Sequence, residues 1–180
     1  MALVVFMRAV NVGGYQKFQP AALAKKLADL DVLNIGAAGT FVVRARVSEK
    51  ALRKKILAEM GFEPAMMVCS AQDVIDLVKS KPFGSKLARN VKGFVSIMDH
   101  PLREPPDLPV DQPQGSWGVR VIAVEGRFAM SLWRRLEGET MVYPNAVVEK
   151  KFGVAATTRS WNTIETVRNV LEEEVEGLKG

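Results

Sequence analysis

The residues best suited to ligand chemistry fall in two short segments, and the first is Arg8-x-x-Asn11-x-Gly13-Gly14. It lies at the end of an apolar run, residues 2–10, that predicts a strand buried on both faces. A glycine pair at a strand end lets backbone N–H groups face outward, which can form an anion-binding concavity. The guanidinium of Arg8 can pair bidentately with a carboxylate or a phosphate. The segment therefore predicts a site for an anionic group.

The same residues also suit a purely structural turn. Gly13 and Gly14 permit positive φ angles, and the Asn11 side chain can hydrogen-bond the backbone of a tight turn. Arg8 would then pair with an acid of the chain itself. No Gly-Lys-Ser/Thr is present, so the segment is not a Walker A loop. Both interpretations stay open at this point, with a slight preference for the turn.

The second segment is Thr157-Thr158-Arg159-Ser160-Trp161-Asn162, which we expect to precede or open the last helix. The start of a helix offers unpaired N–H donors and the positive end of its dipole, and both attract anions. Thr157 and Thr158 add hydroxyl groups, and Arg159 adds charge. In the structural alternative, Ser160 caps the helix and Trp161 packs in the core. Arg159 and Asn162 are the stronger ligand candidates of the segment.

Two singly occurring residues exclude several kinds of catalytic site. The chain of 180 residues contains one histidine, His100, and one cysteine, Cys69. An intramolecular disulfide framework is excluded, and a zinc site of the usual Cys/His kind is not expected. Cys-His and Ser-His nucleophile pairs are absent unless His100 itself serves. We predict no metal and no cofactor, and the sequence leaves open whether the protein is an enzyme.

The hydropathy pattern is that of a globular protein. No apolar run approaches the roughly 18 residues that a membrane span needs. Residues 1–7 carry neither a basic leader nor a small-residue cleavage site, so no secretory signal is indicated. These features predict a cytoplasmic protein without a membrane partner.

The first half of the chain, residues 1–80, predicts the order β-α-β-β-α-β. Leucines at helical spacing favour a helix over residues 20–30, and a strand is expected over residues 40–47. Ser48 is the expected N-cap of a helix that runs through Met60. The order is that of a ferredoxin-like split βαβ half, with an antiparallel sheet covered by both helices on one face.

The second half, residues 81–180, predicts a divergent α+β half of the same kind. Residues 99–116 hold five of the nine prolines and predict a loop without a regular element. Two strands are expected on either side of Glu125-Gly126, and a brief strand over residues 154–156. The C-terminal helix is expected from residue 160 to residue 178.

Charge is distributed unevenly along the chain. Residues 1–90 carry 14 basic and 7 acidic side chains, whereas residues 91–180 carry 11 and 13. A basic half can attract nucleic acid or an acidic protein, although several of the cations fall on predicted amphipathic helices and suit a solvated face. A nucleic-acid or protein-binding module is therefore an alternative to a small-ligand site.

Both segments together resemble the bacterial domain of unknown function 1697 family. Its members open with a strand followed by Arg-Gly-Ile-Asn-Val-Gly-Gly, and they close with an Ala-Thr-Thr-Arg-Asn-Trp-Asn-Thr run before the last helix. The resemblance covers the whole chain and implies two ferredoxin-like halves in an uncharacterised bacterial protein. This chain departs from the pattern at Ala9, at Ala38-Gly39-Thr40, which replaces a Ser-Gly-Asn turn, and at Ser160.

The leading hypothesis is that a small anionic ligand binds in a polar cleft walled by both segments. The candidate residues are Arg8, Asn11, Gly13, Gly14, Thr157, Thr158, Arg159 and Asn162. The alternatives are the nucleic-acid or protein-binding module and an enzyme acting on a phosphorylated or carboxylated metabolite. The sequence leaves the oligomeric state open.

Overall fold

The computed structural model describes residues 1–8 and 19–177, which form two antiparallel sheets and five α-helices. The predicted α+β class is confirmed. By its contacts the chain divides into two compact units, Met1–Asp76 with Glu165–Gly180, and Leu77–Ile164. The boundary drawn from the sequence at residue 80 stays a prediction about independently folding halves. No helix within the described ranges is long and apolar enough to cross a membrane.

The first unit begins with a four-stranded sheet. Its elements are β1 (Leu3–Met7), α1 (Pro20–Lys26), a 3-10 helix (Ala28–Leu30), β2 (Val32–Ile35), β3 (Thr40–Val43), α2 (Glu49–Met60), β4 (Met66–Ser70) and α3 (Ala71–Lys79). The strands lie in the order β2-β3-β1-β4, and every neighbouring pair is antiparallel. The helix predicted over residues 20–30 is thus shorter, and the strand predicted over residues 40–47 ends at Val43.

One face of this sheet packs against α1 and α2. Because side chains alternate along a strand, Val5 of β1 and Val68 of β4 point to the same side. They share a buried cluster with Leu23 of α1 and Leu52 of α2. The expectation that both helices cover one face of the sheet is met in this core.

The ends of α2 follow from their sequence. The Ser48 hydroxyl accepts a hydrogen bond from the Ala51 N–H at 3.2 Å, which satisfies a donor that the first turn leaves unpaired. At the other end Gly61 has φ 74°, the left-handed conformation that ends many helices and that glycine adopts without steric cost. The predicted cap at Ser48 and the predicted end of the helix at Met60 are both confirmed.

The second unit is built on a five-stranded sheet. Its further elements are β5 (Lys92–Met98), β6 (Val110–Gln112), β7 (Val119–Glu125), β8 (Phe128–Trp133), α4 (Pro144–Phe152), β9 (Ala156–Ser160) and the start of α5 (Trp161–Gly177), a helix whose residues from Glu165 onward belong to the first unit. The strand order is β6-β7-β8-β5-β9, again with antiparallel neighbours. Without β6, this order repeats that of the first sheet, with β5 in the place of β1 and β9 in the place of β4.

Strand β6 lies inside residues 99–116, where the prolines predict a loop without a regular element, so that prediction is wrong. The strand pairs with β7, and Asp111 lies opposite Arg120 in the register. Arg120 donates to both carboxylate oxygens of Asp111, at 2.7 and 2.8 Å. This paired geometry lowers the pKa of Asp111, mainly through the hydrogen bond from Arg120. The partner that stabilises the strand therefore lies on the neighbouring strand β7, outside the proline-rich segment.

Helix α4 covers one face of the second sheet. Val147 and Val148 of the helix pack with Met98 of β5, Val121 of β7 and Ala156 of β9 in a second buried cluster. Gly153 ends the helix with φ 64° and donates its N–H to the Glu149 carbonyl oxygen. The helix thus lies beside β9, the strand that carries three of the candidate residues.

Candidate functional site

Three of the candidate residues lie on a strand and not at a helix start. Thr157, Thr158 and Arg159 belong to β9, and only Asn162 lies in the first turn of α5. The brief strand expected over residues 154–156 is therefore displaced to residues 156–160. The Ser160 hydroxyl accepts from the Thr163 N–H at 3.3 Å, so its expected role as a helix cap is confirmed.

The strand geometry divides these side chains between two faces of the sheet. In the register with β5, Thr157 lies opposite Ile97, Thr158 opposite Ser96, and Arg159 opposite Val95. Because alternate residues point to opposite faces, Thr157 and Arg159 share one face, and Thr158 points to the face that α4 covers. Thr158 and Arg159 therefore present their side chains to different surroundings.

Arg159 is a buried cation. Its side chain belongs to a residue that is only 6% exposed, and its strand neighbour Val95 is fully buried. Nη1 donates to the Thr157 hydroxyl and to the Thr158 carbonyl oxygen, both at 2.9 Å. Burial lowers the pKa of Arg159 to about 10, because desolvation penalises the charged form. The guanidinium still carries its charge at neutral pH.

A chain of hydroxyl groups lies on the opposite face of β9. The Thr158 hydroxyl donates to Asn145 Oδ1 of α4 at 2.9 Å. The Ser96 hydroxyl lies 2.7 Å from Thr158 Oγ1. Since Thr158 has one hydroxyl proton, Ser96 donates to Thr158, which donates to Asn145. These contacts fix β9 against both β5 and α4, so Thr158 positions the strand that holds Arg159.

Ser96 and Asn145 belong to this network but were not predicted from the sequence as site residues. Ser96 could have been found, because it is a single polar residue inside the apolar run of β5 and is fully buried. Asn145 carries no such signal, since an amide in the first turn of a helix is common on protein surfaces. Its role depends on the tertiary contact with β9.

Ser131 is a further buried hydroxyl of the second sheet. It lies on β8 opposite Phe94 and is fully buried. Its Oγ has no hydrogen-bond partner in the part of the chain that the structure describes. Such a hydroxyl has lost its hydration without compensation, which costs about 1–3 kcal/mol.

The remaining candidates belong to the first unit. Arg8 follows β1, its backbone N–H donates to the Ala65 carbonyl oxygen at 2.8 Å, and its side chain is half-buried. Asn11, Gly13 and Gly14 lie outside the described residues. Within the described ranges no group of three His, Cys, Asp or Glu side chains is placed to hold a metal ion.

Trp161 has the packing role that the sequence favours. Its ring is half-buried and meets Phe83 edge to face, with the ring centroids 5.1 Å apart. Asn162, one residue further along α5, is exposed. At the start of this helix, the apolar Trp161 therefore packs against another ring, whereas the polar Asn162 faces solvent.

Comparison with solved structures supports the fold over nearly the full chain. The conserved bacterial protein SP0830 from Streptococcus pneumoniae matches with a TM-score of 0.56 and 17% sequence identity, and the match covers 94% of this chain and 98% of that one. A comparison with curated proteins gave no match. The family described as protein of unknown function (DUF1697) matches residues 1–116. Since this match spans more than half of the sequence, the chain belongs to the DUF1697 family.

Proposed function

We propose that the protein binds a small anionic ligand at the junction of β9 and α5, with Arg159 as the central cation. The observation that carries this proposal is the burial of Arg159 at 6% exposure. Removing a cation from water costs several kcal/mol even after relaxation of the protein. Forming the β-strand does not require this desolvation cost, because apolar residues can form the same strand without it. The burial of a cation directly before the start of α5 supports a role for Arg159 in holding an anionic group.

The electrostatics of the junction favour an anion. A charge in a low-dielectric environment attracts an opposite charge more strongly than a charge in water does. Helix α5 begins directly after β9, and the N-terminal end of a helix of this length carries a positive partial charge. Thr157 shares a face with Arg159, and Asn162 lies in the first turn, so both are candidates to contact the ligand. Thr158 points to the opposite face of the sheet, where its hydrogen bonds with Asn145 and Ser96 position β9.

The proposal is for binding and not for catalysis. The side chains at the junction are hydroxyl, amide and guanidinium groups, and none of these acts as a general base near neutral pH. The enzyme alternative would need a nucleophile or base in addition to these groups. We therefore assign to the site the recognition of an anionic group only.

The alternative of a nucleic-acid or protein-binding surface in the N-terminal half has less support. Four basic side chains there lie in ion pairs with nearby carboxylates: Lys26 with Glu59, Arg44 with Asp31, Arg53 with Glu49, and Lys55 with Asp29. Paired charges contribute less positive potential to a surface than isolated ones do. Binding to DNA or RNA oligomers that weakens steeply with salt would favour this alternative.

We also propose that each unit is a ferredoxin-like plait, as the sequence and the family resemblance imply. The strand orders β2-β3-β1-β4 and β7-β8-β5-β9 support this fold, since each is the order that two βαβ units produce in an antiparallel sheet. In the second unit, the segment with β6 lies between the first two strands of the plait in chain order, where the first helix of a ferredoxin-like plait is expected. A solved structure with a different connection in either unit would overturn this assignment.

Calorimetric titration with inorganic phosphate, acetate and a nucleoside monophosphate tests the anion site. We expect at least one of these probes to bind the wild type, and Arg159→Met to abolish that binding. Arg103→Gln, which removes an exposed arginine of the same unit, is the matched control and should bind normally. Affinity for the fully ionised form of the probe should stay constant from pH 7 to pH 9 and fall above pH 10, where Arg159 loses its proton. Equal binding by wild type and Arg159→Met would overturn the proposal.

The contribution of Arg8 stays a separate prediction. Arg8→Ala should weaken binding of the same probe if the sequence-based grouping of both segments is correct. An affinity equal to that of the wild type, in a variant shown to be folded, would confine the site to the β9–α5 junction.

A further inference from the structure

A second cleft lies within the second unit, away from the residues of the proposed anion site. It is bounded by the end of β6, by Gly118, and by the segment that runs from Trp133 to Val142. Its volume is about 250 Å³. That volume is slightly below the range of drug-sized ligand sites and suits a small organic molecule.

One wall of the cleft holds an arginine that is fixed in place. Arg134 Nε donates to the Trp117 carbonyl oxygen at 2.8 Å, and Arg134 Cζ lies 4.1 Å from the centre of the Trp117 ring. Such stacking and hydrogen bonding restrict a side chain that is otherwise flexible. The guanidinium is therefore held ready to present its remaining N–H groups as a planar fork.

Arg134 and its neighbour Arg120 differ in their ion pairing. Arg120 also contacts the Trp117 ring, at 4.9 Å, but it is neutralised by its two hydrogen bonds to Asp111. Arg134 has no carboxylate partner within ion-pair distance in the described ranges, and Arg135, which lines the same cleft, has none there either. The lining of the cleft thus carries two guanidinium groups and one carboxylate, Glu139, and Asp111 interacts with Arg134 through its charge. The two cations leave the lining with a net positive charge.

The other wall is apolar and also held in place. Trp133 Nε1 donates to the Val142 carbonyl oxygen at 3.0 Å, which ties the loop to the end of β8. The Trp133 ring is parallel to that of Tyr143, with an interplanar angle of 4° and centroids 6.3 Å apart. Met141 lines the cleft and is 48% exposed, so a ligand can still cover apolar surface there.

We propose that this cleft binds a small organic anion, a carboxylate or a phosphate monoester that carries an apolar group. The fork of Arg134 takes the oxyanion, because a guanidinium matches the oxygen spacing of both groups. The wall of Trp133 and Met141 takes the apolar part. This proposal does not rest on the proposed function, since the cleft shares no residue with the β9–α5 junction.

The indole N–H resonances of the protein provide a direct test. The chain has three tryptophans, of which Trp133 lines the cleft and Trp161 marks the start of α5. Benzoate and phenyl phosphate are titrated at constant ionic strength, with acetate, inorganic phosphate and benzyl alcohol as partial ligands. We expect both aromatic anions to shift the Trp133 resonance saturably, and each partial ligand to bind at least about tenfold more weakly. The tighter of the two anions identifies the preferred oxyanion.

Arginine variants decide whether the charge matters. Arg134→Gln should weaken binding of both aromatic anions about tenfold or more, as expected for a charge-assisted hydrogen bond. Since Arg134 also packs on Trp117, the exposed Arg135→Gln is a second variant that does not disturb packing, and it should weaken binding about threefold. Arg103→Gln has the same change in net charge and should leave affinity unaltered.

Several outcomes would overturn this proposal. One is a Trp133 shift no larger for benzoate and phenyl phosphate than for benzyl alcohol. Another is an equal loss of affinity in Arg135→Gln and Arg103→Gln. A shift confined to Trp161 would assign the anion to the β9–α5 junction and would count against the cleft. Conversely, loss of phosphate binding in Arg159→Met with an intact benzoate response at Trp133 would separate the two sites.

Discussion

The two units contain the same strand-to-helix junction with opposite chemical character. In the first unit β4 runs directly into α3, and in the second β9 runs directly into α5. Each strand pairs with the first strand of its sheet, and a serine ends it. Ser70 Oγ accepts from the Asp73 N–H at 3.1 Å, and Ser160 Oγ accepts from the Thr163 N–H at 3.3 Å. Both junctions thus have the same backbone arrangement, in which a strand ends at a serine that caps the helix that follows.

The side chains on the two strands differ. Cys69 lies opposite Val4 in the first unit, at the position that Arg159 occupies opposite Val95 in the second. Facing the helices, Val68 of the first unit stands where Thr158 stands in the second. Cys69 and Val68 are each 3% exposed. Since the apolar version builds the same junction, folding alone does not account for the polar version.

The largest effect should come from transferring the cation to the apolar junction. Cys69→Arg places a charge among buried apolar side chains that offer it no compensation, and this should lower the free energy of unfolding by about 3 kcal/mol or more. Denaturant unfolding measures the change, and Cys69→Met, which keeps the site apolar, is the control for size. If Cys69→Arg left the free energy of unfolding unchanged, the first junction would accommodate a buried charge as well as the second does.

The reverse exchange should stabilise the protein. Arg159→Met removes a desolvated cation, and we expect the free energy of unfolding at pH 7 to rise by about 2 kcal/mol. Because the pKa of Arg159 is lowered to about 10, the unfolded chain holds the proton more tightly above that pH, and wild-type stability recovers. The gap between variant and wild type should therefore narrow above pH 10. A destabilised Arg159→Met would show that the arginine contributes to folding.

The two serine caps provide a smaller test. Ser70→Ala and Ser160→Ala should each lower the free energy of unfolding by about 1 kcal/mol, because each leaves an N–H of the first turn unsatisfied. Only Ser160→Ala should also change anion affinity, since α5 begins directly after the strand that carries Arg159. Equal effects of both variants on affinity would remove the functional distinction between the junctions.

The smallest effect is expected at Ser131. Its register position opposite Phe94 corresponds to that of Val43 opposite Leu3, so an apolar residue fills the equivalent place in the first unit. Ser131→Ala removes an unsatisfied buried hydroxyl and should raise the free energy of unfolding by about 1 kcal/mol. A loss of stability would indicate that this hydroxyl has a partner such as a bound water.

The sequence was most informative where the determinants are local. The cap at Ser48 and the end of α2 at Gly61 depend on neighbouring residues, and both were predicted correctly. The hairpin at Glu125-Gly126 was also predicted, and its strands end and begin around that turn as expected. Strand β6 was not predicted, because its stabilising partner Arg120 is on another strand.

The position of the second candidate segment in the fold was not predicted from the sequence. Thr157 to Arg159 were expected to precede or open α5, because polar residues before an apolar helical pattern are typical of a helix start. Their assignment to β9 depends on pairing with β5, which is a tertiary contact. The alternation that separates Thr158 from Arg159 follows from that pairing. Local sequence could not supply it.

The hydrogen bond from Trp133 to the Val142 carbonyl oxygen has a further consequence, because it connects the cleft to the residues that precede α4. Val142 bounds the cleft, Tyr143 caps α4, and Asn145 accepts the hydrogen bond of Thr158. A ligand that displaces Val142 therefore acts, through a few covalently linked residues, on the network that holds β9. We expect occupancy of the cleft and occupancy of the β9–α5 junction to be thermodynamically linked, and such linkage must be reciprocal in the two binding free energies.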